Sequence, residues 1–375
     1  MPKRDKVPFK MFSKIFSSKT LPSDAKQTLV DSLNRYRSEN FPQGMLYPDI
    51  DPEITLEKGN DIVIKLSLPF PCNSEIHLLS EMLTKEVKQT VRFDVKYNVK
   101  PVRRHELLGI KNIIAIASGK GGVGKSTTAV NLAYALIAEG ASVGILDADI
   151  YGPSVPTLLG LKGAKPSSDD GKLLTPINAN GLSAMSLGFL VDEDDATVWR
   201  GPMASRAFSQ LLNETDWQGI DYLIVDMPPG TGDIQLTLSQ QVPVAASVVI
   251  TTPQDIALAD AIKGIAMFEQ VKVPVLGIIE NMSYHQCESC GHQSHLFGEG
   301  GGQRVANKYD TQLLGQLPLD VSIRRDADQG VSPLLTDNTS NISEQYRKIA
   351  RTIAAQLYLQ LDSRSPNTAK LLIED

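Results

Sequence analysis

The sequence predicts an α/β protein: a doubly wound, mainly parallel sheet flanked by helices, preceded by a smaller α/β domain. Three observations carry this. From residue 111 onward, short runs rich in Val and Ile alternate with helical stretches, the pattern of strands buried on both faces. A glycine-rich turn joins the first such run to the first helix. The first hundred residues instead show alternating strands in mixed order. A length of 375 residues accommodates two domains. With 42% hydrophobic and 21% charged residues, the composition is that of an ordinary globular protein.

In order, residues 1–20 are a basic extension carrying Lys3, Arg4, Lys6, Lys10, Lys14 and Lys19 against Asp5. It lacks an apolar h-region, so it reads as a solvated extension, with an organelle transit peptide as the alternative. Residues 21–102 form the small domain. Its expected elements are a helix over 25–36, a strand over 61–68, a helix over 74–90 and a strand over 91–99. In the first strand Ile62, Ile64 and Leu66 share one face. Residues 103–111 are a charged linker, and 112–375 the larger domain. There the expected strands are 113–117, 143–146, 222–225, 246–251 and 275–280. Between the second and third, residues 163–195 are polar and predict loops or a hairpin.

The turn Ser118-Gly119-Lys120-Gly121-Gly122-Val123-Gly124-Lys125-Ser126-Thr127 satisfies the P-loop (Walker A) pattern with a strand before it and a helix after it. Its glycines let successive N–H groups curl toward a phosphate, and the helix start adds its positive end. Lys125 would reach the β- and γ-phosphates, and the Ser126 hydroxyl would ligate Mg²⁺. Lys120, inside the loop, is not needed for that cradle. In this it resembles the deviant Walker A ATPases, the MinD, ParA and nitrogenase iron-protein group. There such a lysine reaches the partner subunit's nucleotide, so the resemblance implies a homodimer with two ATPs at its interface.

Ligands of open parallel sheets lie beyond the carboxyl ends of the strands. Asp147-Ala148-Asp149 and Asp226 end two of them. The class resemblance gives Asp149 the attacking water and puts Asp147 near Mg²⁺; the bland alternative for the pair is strand-end capping. The apolar run ending in Asp226 has the Walker B form. The following Met227-Pro228-Pro229-Gly230-Thr231-Gly232-Asp233 is stiff at the prolines and free at the glycines, so it can switch with a γ-phosphate, sensed through the Gly230 N–H. Asn281 ends the fifth strand. Its amide can read a base edge, and the class uses an asparagine there for adenine. No guanine-reading Asn-Lys-x-Asp run is evident, which favours ATP.

Three cysteines are too few for a disulfide framework and fit a reducing compartment. Cys287-Glu288-Ser289-Cys290-Gly291 is a C-x-x-C loop whose two thiolates can grip one metal. Two ligands leave a tetrahedral site unfinished. The remainder could come from His285, His292, His295, Cys72 or another chain, and a redox disulfide or two free thiols are rival readings. Two copies of the loop, brought together by the dimer, would supply the four thiolates of an iron–sulfur cluster. Cys72 stands alone and reads as a lone, partly buried cysteine.

Together, residues 118–127, 147–154, 199–203, 226–233, 251–255 and 281–290, with Phe297-Gly298, resemble the Mrp (ApbC) iron–sulfur cluster carrier ATPases from about residue 112 to Pro318. The N-terminal region resembles more loosely the small MIP18-like domain fused to such carriers. The resemblance implies a P-loop NTPase fold and a nucleotide-binding set of Gly119, Lys120, Gly121, Gly122, Val123, Gly124, Lys125, Ser126, Thr127, Asp147, Gly230, Asn281 and Pro318. Lys120, Lys125, Asp149 and Asp226 would serve slow ATP hydrolysis. Cys287 and Cys290 would hold a cluster, 4Fe–4S, bridging two chains, with Mg²⁺ on Ser126. The partners implied are iron–sulfur scaffold proteins and recipient apoproteins. A net charge of −6 argues against nucleic acid. The absence of about 18 consecutive apolar residues argues against a membrane span, and the expected location is the cytoplasm. The alternatives are a MinD/ParA-type spatial regulator, for which residues 367–375 are too short and acidic a tail, and a zinc-binding scaffold ATPase.

Overall fold

In the computed structural model, residues 21, 23–47, 50–57, 61–103, 105–107, 109–149, 152–168, 171–190 and 201–360 are described. The basic segment 1–20, Ile150-Tyr151, Trp199-Arg200 and the tail 367–375 lie outside them. The chain divides into two compact units. Of the described residues, one holds those within 21–37, 43–67 and 76–96, the other those within 38–42, 68–75 and 97–360.

The elements running through the smaller unit are α1 (Ser23–Arg35), β1 (Glu53–Leu56), β2 (Ile62–Leu68), α2 (Asn73–Val87) and β3 (Val91–Tyr97), with sheet order β1-β2-β3. β1 pairs antiparallel with β2, Ile54 opposite Ile64. Leu29, Leu33, Ile62, Ile64, Leu66, Leu79 and Leu83 are buried. Ile62, Ile64 and Leu66 point inward as the alternation predicts. Val63, expected on the other face, is buried as well.

The larger unit continues with β4 (Ile110–Ala117), α3 (Lys125–Ala138), β5 (Val143–Asp147), α4 (Val155–Leu158), β6 (Ile177–Ala179), β7 (Leu182–Ser186), α5 (Gly201–Asn213), β8 (Ile220–Asp226) and α6 (Asp233–Gln241). It ends with β9 (Ala246–Thr251), α7 (Asp255–Gln270), β10 (Val275–Gln286), β11 (Gln293–Ser294), α8 (Gly301–Lys308), β12 (Gln312–Pro318), α9 (Val321–Asp328), α10 (Pro333–Thr336) and α11 (Asn341–Leu359). The sheet order is β11-β10-β9-β4-β8-β5-β7-β6, with β12 on β10. Every pair is parallel except the hairpins β6–β7 and β10–β11. The predicted doubly wound, mainly parallel sheet is therefore present.

All five expected strands form, and four run past their predicted ends, β5 by the single residue Asp147. β4 starts at Ile110, within the stretch read as linker, because Ile110 pairs with Ile220 of β8. β8 spans Ile220–Asp226, and β10 runs on to Gln286 because its end pairs with β11. The polar stretch before β8 contains the hairpin β6–β7.

The first strand, β4, lies between β8 and β9. Chain crossovers thus diverge on either side of it, leaving a crevice at the carboxyl ends of β4, β8 and β5. α11 packs on α3. There the buried Arg351 donates through Nη1 to Glu139 Oε1 at 2.8 Å, and the Ser74 N–H donates to Glu139 Oε2 at 3.0 Å. Burial pushes the Glu139 carboxyl up, and Arg351 opposes that shift.

Candidate nucleotide and thiol sites

The phosphate loop runs from the end of β4 into α3, with Gly122 and Gly124 both at φ 81°. Side-chain-bearing residues are strained in that region. Gly119 lies against the backbone of Asp260 in α7, where a Cβ would collide. Val123 is buried while Lys120, Gly121 and Gly122 are exposed, and Ser126 and Thr127 are half-buried. Lys120, on the outer side of the loop, shares a cavity of about 160 Å³ with Gly121, Gly122, Val123, Thr252, Gln254, Met282 and Phe297.

Lys125 is buried, and its ammonium pairs with Asp226, also buried, while donating to Ser126 Oγ at 3.2 Å. Asp226 faces Asp147 in the β5–β8 register. Asp147 accepts from the backbone N–H groups of Asp149 (3.0 Å) and Val155 (3.2 Å) and from Ser186 Oγ (3.1 Å). Burial, then the charge of Asp226, pushes the Asp147 carboxyl up to about 7. Asp147 thus anchors the turn after β5 to β7. The Gly230 N–H, expected to sense phosphate, donates to Ser118 O at 2.9 Å.

Two buried oxygens here have no hydrogen-bond partner, Asp226 Oδ2 and Thr128 Oγ1. A buried, unpartnered carboxylate oxygen close to Lys125 and Ser126 fits Mg²⁺. That ion keeps several waters and uses one or two protein ligands plus phosphate oxygens. Among the described residues no group of three or more His, Cys, Asp or Glu side chains forms a complete metal cage, which agrees with such a shared shell.

Asn281, in β10, donates through Nδ2 to Val123 O at 2.8 Å, tying the fifth strand to the phosphate loop. Pro318 ends β12 opposite Tyr284 of β10. One residue past β10 begins the cysteine turn. The Cys287 N–H donates to His292 O (2.9 Å) and the Gly291 N–H to Cys287 O (2.8 Å), closing a tight knuckle between β10 and β11. Cys287 is half-buried and Cys290 exposed, both as free thiols. Backbone N–H groups of Cys290 and Ser289 pull the Cys287 thiol down, since they stabilise the thiolate. None of the three histidines completes a three-donor group with the pair. His292 lends its carbonyl, and His295 Nδ1 donates to Ser283 O at 3.0 Å.

Cys72 is fully buried rather than partly so. Burial, then Glu75 and Glu139, pushes its thiol up, giving a protonated, unreactive group. The structure thus brings the phosphate loop together with Asp147, Asp226, Gly230 and Asn281, and sets the cysteine turn at the end of the strand that bears Asn281. Sequence reasoning missed Ser186 and Thr128, which carry no motif, and Glu280, which sits beside Asn281 and is visible only once folded.

The family described as ParA, NUBPL iron-transfer P-loop NTPase, matches residues 109–354. An iron–sulfur cluster carrier protein of Salmonella typhimurium is 54% identical over 306 residues, 79% of this chain and 83% of that one. The solved nucleotide-binding protein of Archaeoglobus fulgidus, in complex with ADP, is 39% identical with a TM-score of 0.53, covering 59% of this chain and 87% of that one. The cell-division ATPase MinD of Pyrococcus furiosus, at 20% identity and a TM-score of 0.50 over 64% of this chain and 98% of that one, shares the fold. Among the described residues no helix is long and apolar enough to cross a membrane.

Proposed function

The chain belongs to the iron-transfer P-loop NTPases, and from that premise we propose that it carries an iron–sulfur cluster on a homodimer and hands it to apoproteins under control of ATP. The observation that carries this reading is one strand, β10. It holds Asn281 against the phosphate loop and ends one residue before a knuckle with two accessible thiols. A single chain offers half of a four-thiolate set, so a second copy completes it. The cluster, taken as 4Fe–4S, is cargo: a site at a seam between chains, with no cage of its own, can release what it holds.

The nucleotide half follows from the loop. Its N–H groups and the start of α3 hold the phosphates, and Lys125 leaves Asp226 for them. Ser126 and Asp226 would then hold Mg²⁺, which neutralises charge developing on the phosphates. Asp149 orients the attacking water. Asp147 holds the turn that positions Asp149. Lys120, exposed on the loop, reaches the second chain's nucleotide. The Gly230 N–H exchanges Ser118 O for the γ-phosphate, which shifts the segment 227–233. Hydrolysis is slow and sets the timing of cargo release. Scaffold proteins that load the cluster and apoproteins that receive it are the partners, in the cytoplasm.

The test is anaerobic reconstitution with iron and sulfide, counting both per dimer. The wild type takes up a cluster with a broad visible absorbance, and Cys290→Ser does not. Equal iron and sulfide in the two proteins would sink the reading. Lys125→Ala retains the cluster in isolated protein yet stops transfer in cells; normal transfer would break the coupling to ATP.

A further inference from the structure

We infer that Glu280 is the positioning residue through which the phosphate loop governs the cysteine hairpin. The inference deepens the carrier reading above but is tested without cargo. Glu280 is 0% exposed, and among the described residues no Lys or Arg pairs with it. A carboxylate is costly to bury and persists where hydrogen bonds compensate it. Here three donors do so. Ser283 Oγ reaches Oε1 at 2.6 Å, Gln316 Nε2 reaches Oε1 at 2.8 Å, and the Gly302 N–H reaches Oε2 at 2.5 Å.

Each donor belongs to a different part of the thiol-bearing region. Ser283 lies at the base of the β10–β11 hairpin, and its carbonyl accepts from His295 Nδ1 just past β11. Gln316 comes from β12 and also donates to Ser283 Oγ at 2.9 Å. Gly302 is in the first turn of α8, at the far end of the loop that returns from the knuckle. Glu280 therefore clamps both ends of the segment that carries Cys287 and Cys290. Its neighbour Asn281 holds Val123 O of the phosphate loop. One peptide unit separates the clamp on the thiols from the clamp on the nucleotide.

Two more observations place a joint within this connection. Met282, next in line, has φ 54°, a strained conformation for a long side chain, and the β10–β12 register shifts between Glu280 and Tyr284. The strand thus has a built-in joint between Asn281 and the hairpin. Phe297, from the loop that Glu280 closes at Gly302, lines the same cavity as Met282, Lys120, Gly121, Gly122 and Val123. A nucleotide entering beside the loop presses on both arms of the Glu280 clamp. A plain cap for α8 would need only the Gly302 contact. The bonds to Ser283 and Gln316 extend it to the hairpin.

The experiment uses the iron-free, reduced full-length chain. Alkylation of Cys287 and Cys290 by iodoacetamide is followed by mass spectrometry with and without Mg–ADP, Cys72 serving as the buried reference thiol. In the wild type, nucleotide changes the rate by about fivefold or more, the lower end of ordinary coupling between sites. Glu280→Gln keeps the size of the side chain but gives it a donor where it faces donors. In that variant the nucleotide effect falls below about twofold while ADP affinity stays within about twofold of wild type. Gly302→Ala, whose Cβ would stand 3.1 Å from Glu280 Oε2, gives the same loss from the opposite side and serves if Glu280→Gln does not fold. A purely structural role would raise the alkylation rate in the absence of nucleotide and leave the nucleotide ratio intact. That result overturns the inference, as does a wild-type chain whose thiols ignore ADP. Failure to take up a cluster would sink the carrier reading and leave this result standing.

Discussion

Replacing Lys125 with methionine removes a charge and little volume from one of the most enclosed ion pairs in the chain. The side chains of Lys125 and Asp226 are 6% and 0% exposed. The carboxylate left behind would keep an Oδ2 that already lacks a partner and would face Asp147 across the register. Removing one member of a buried pair typically costs about 3–5 kcal/mol, because the survivor stays desolvated and uncompensated. At roughly 2–4 °C per kcal/mol for domains of this general size, the nucleotide-free Lys125→Met protein should melt at least about 6 °C below wild type. Circular dichroism of metal- and nucleotide-free protein at pH 7.5 measures this and isolates stability from lost phosphate binding. Adding Asp226→Leu should recover most of the loss, since an apolar pair of similar volume is often neutral relative to the buried ion pair. A single variant melting within about 2 °C of wild type, or a double variant no better than the single, would refute the idea that this pair holds the empty site together.

Other consequences follow from the same geometry. Asp147 keeps its proton to about pH 7 in the fold, against 3.8 for an ordinary carboxyl. Its contribution is therefore full below about pH 4 and lost as the pH rises through 7. Urea titrations in magnesium-free buffer should show wild type losing more stability than Asp147→Asn over that window, and equal slopes would contradict it. Gly119→Ala places a Cβ against the Asp260 backbone of α7. Overpacking of that kind costs about 1–3 kcal/mol and should show as a lower urea midpoint together with weakened ADP binding in calorimetry. Unchanged binding and midpoint would mean that α7 yields freely. Arg351→Leu strands the buried Glu139 and should destabilise by about 3–5 kcal/mol in thermal unfolding; a loss of less than about 1 kcal/mol would put Glu139 in contact with water.

What could be read from the chain was whatever repeats over a short span. The β-branched runs that became β4, β5, β8, β9 and most of β10 are buried on both faces, and such strands advertise themselves. The phosphate loop and Asp226 were legible because their chemistry demands fixed spacings. β12 was not, since Gln312–Pro318 mixes Gln with Leu, half-exposed beside β10. Nor was β11, two residues long and polar. The site's internal wiring was hidden for a different reason. Lys125 finds Asp226 across 101 positions, Asn281 finds Val123 across 158, and Glu280 finds Gln316 across 36. No local period encodes such pairings. The full burial of Cys72 was not legible because it depends on the folded chain, which also brings the charge of Glu139, 67 positions away, close enough to push its thiol up.

The contact between Arg351 and Glu139 spans 212 residues, and that separation acquires a meaning when the chain is made one residue at a time. The phosphate loop and α3 leave the ribosome early, ending in a carboxylate that the finished fold seals away. The guanidinium that compensates it arrives, at about 5–20 residues per second, roughly ten to forty seconds later. Until then Glu139 has the donors of Ser74, made before it, but no compensating charge from Arg351, and the face of α3 that α11 will cover is open to solvent. The nascent chain thus displays its phosphate-loop sequence well before the helix that packs on α3 exists.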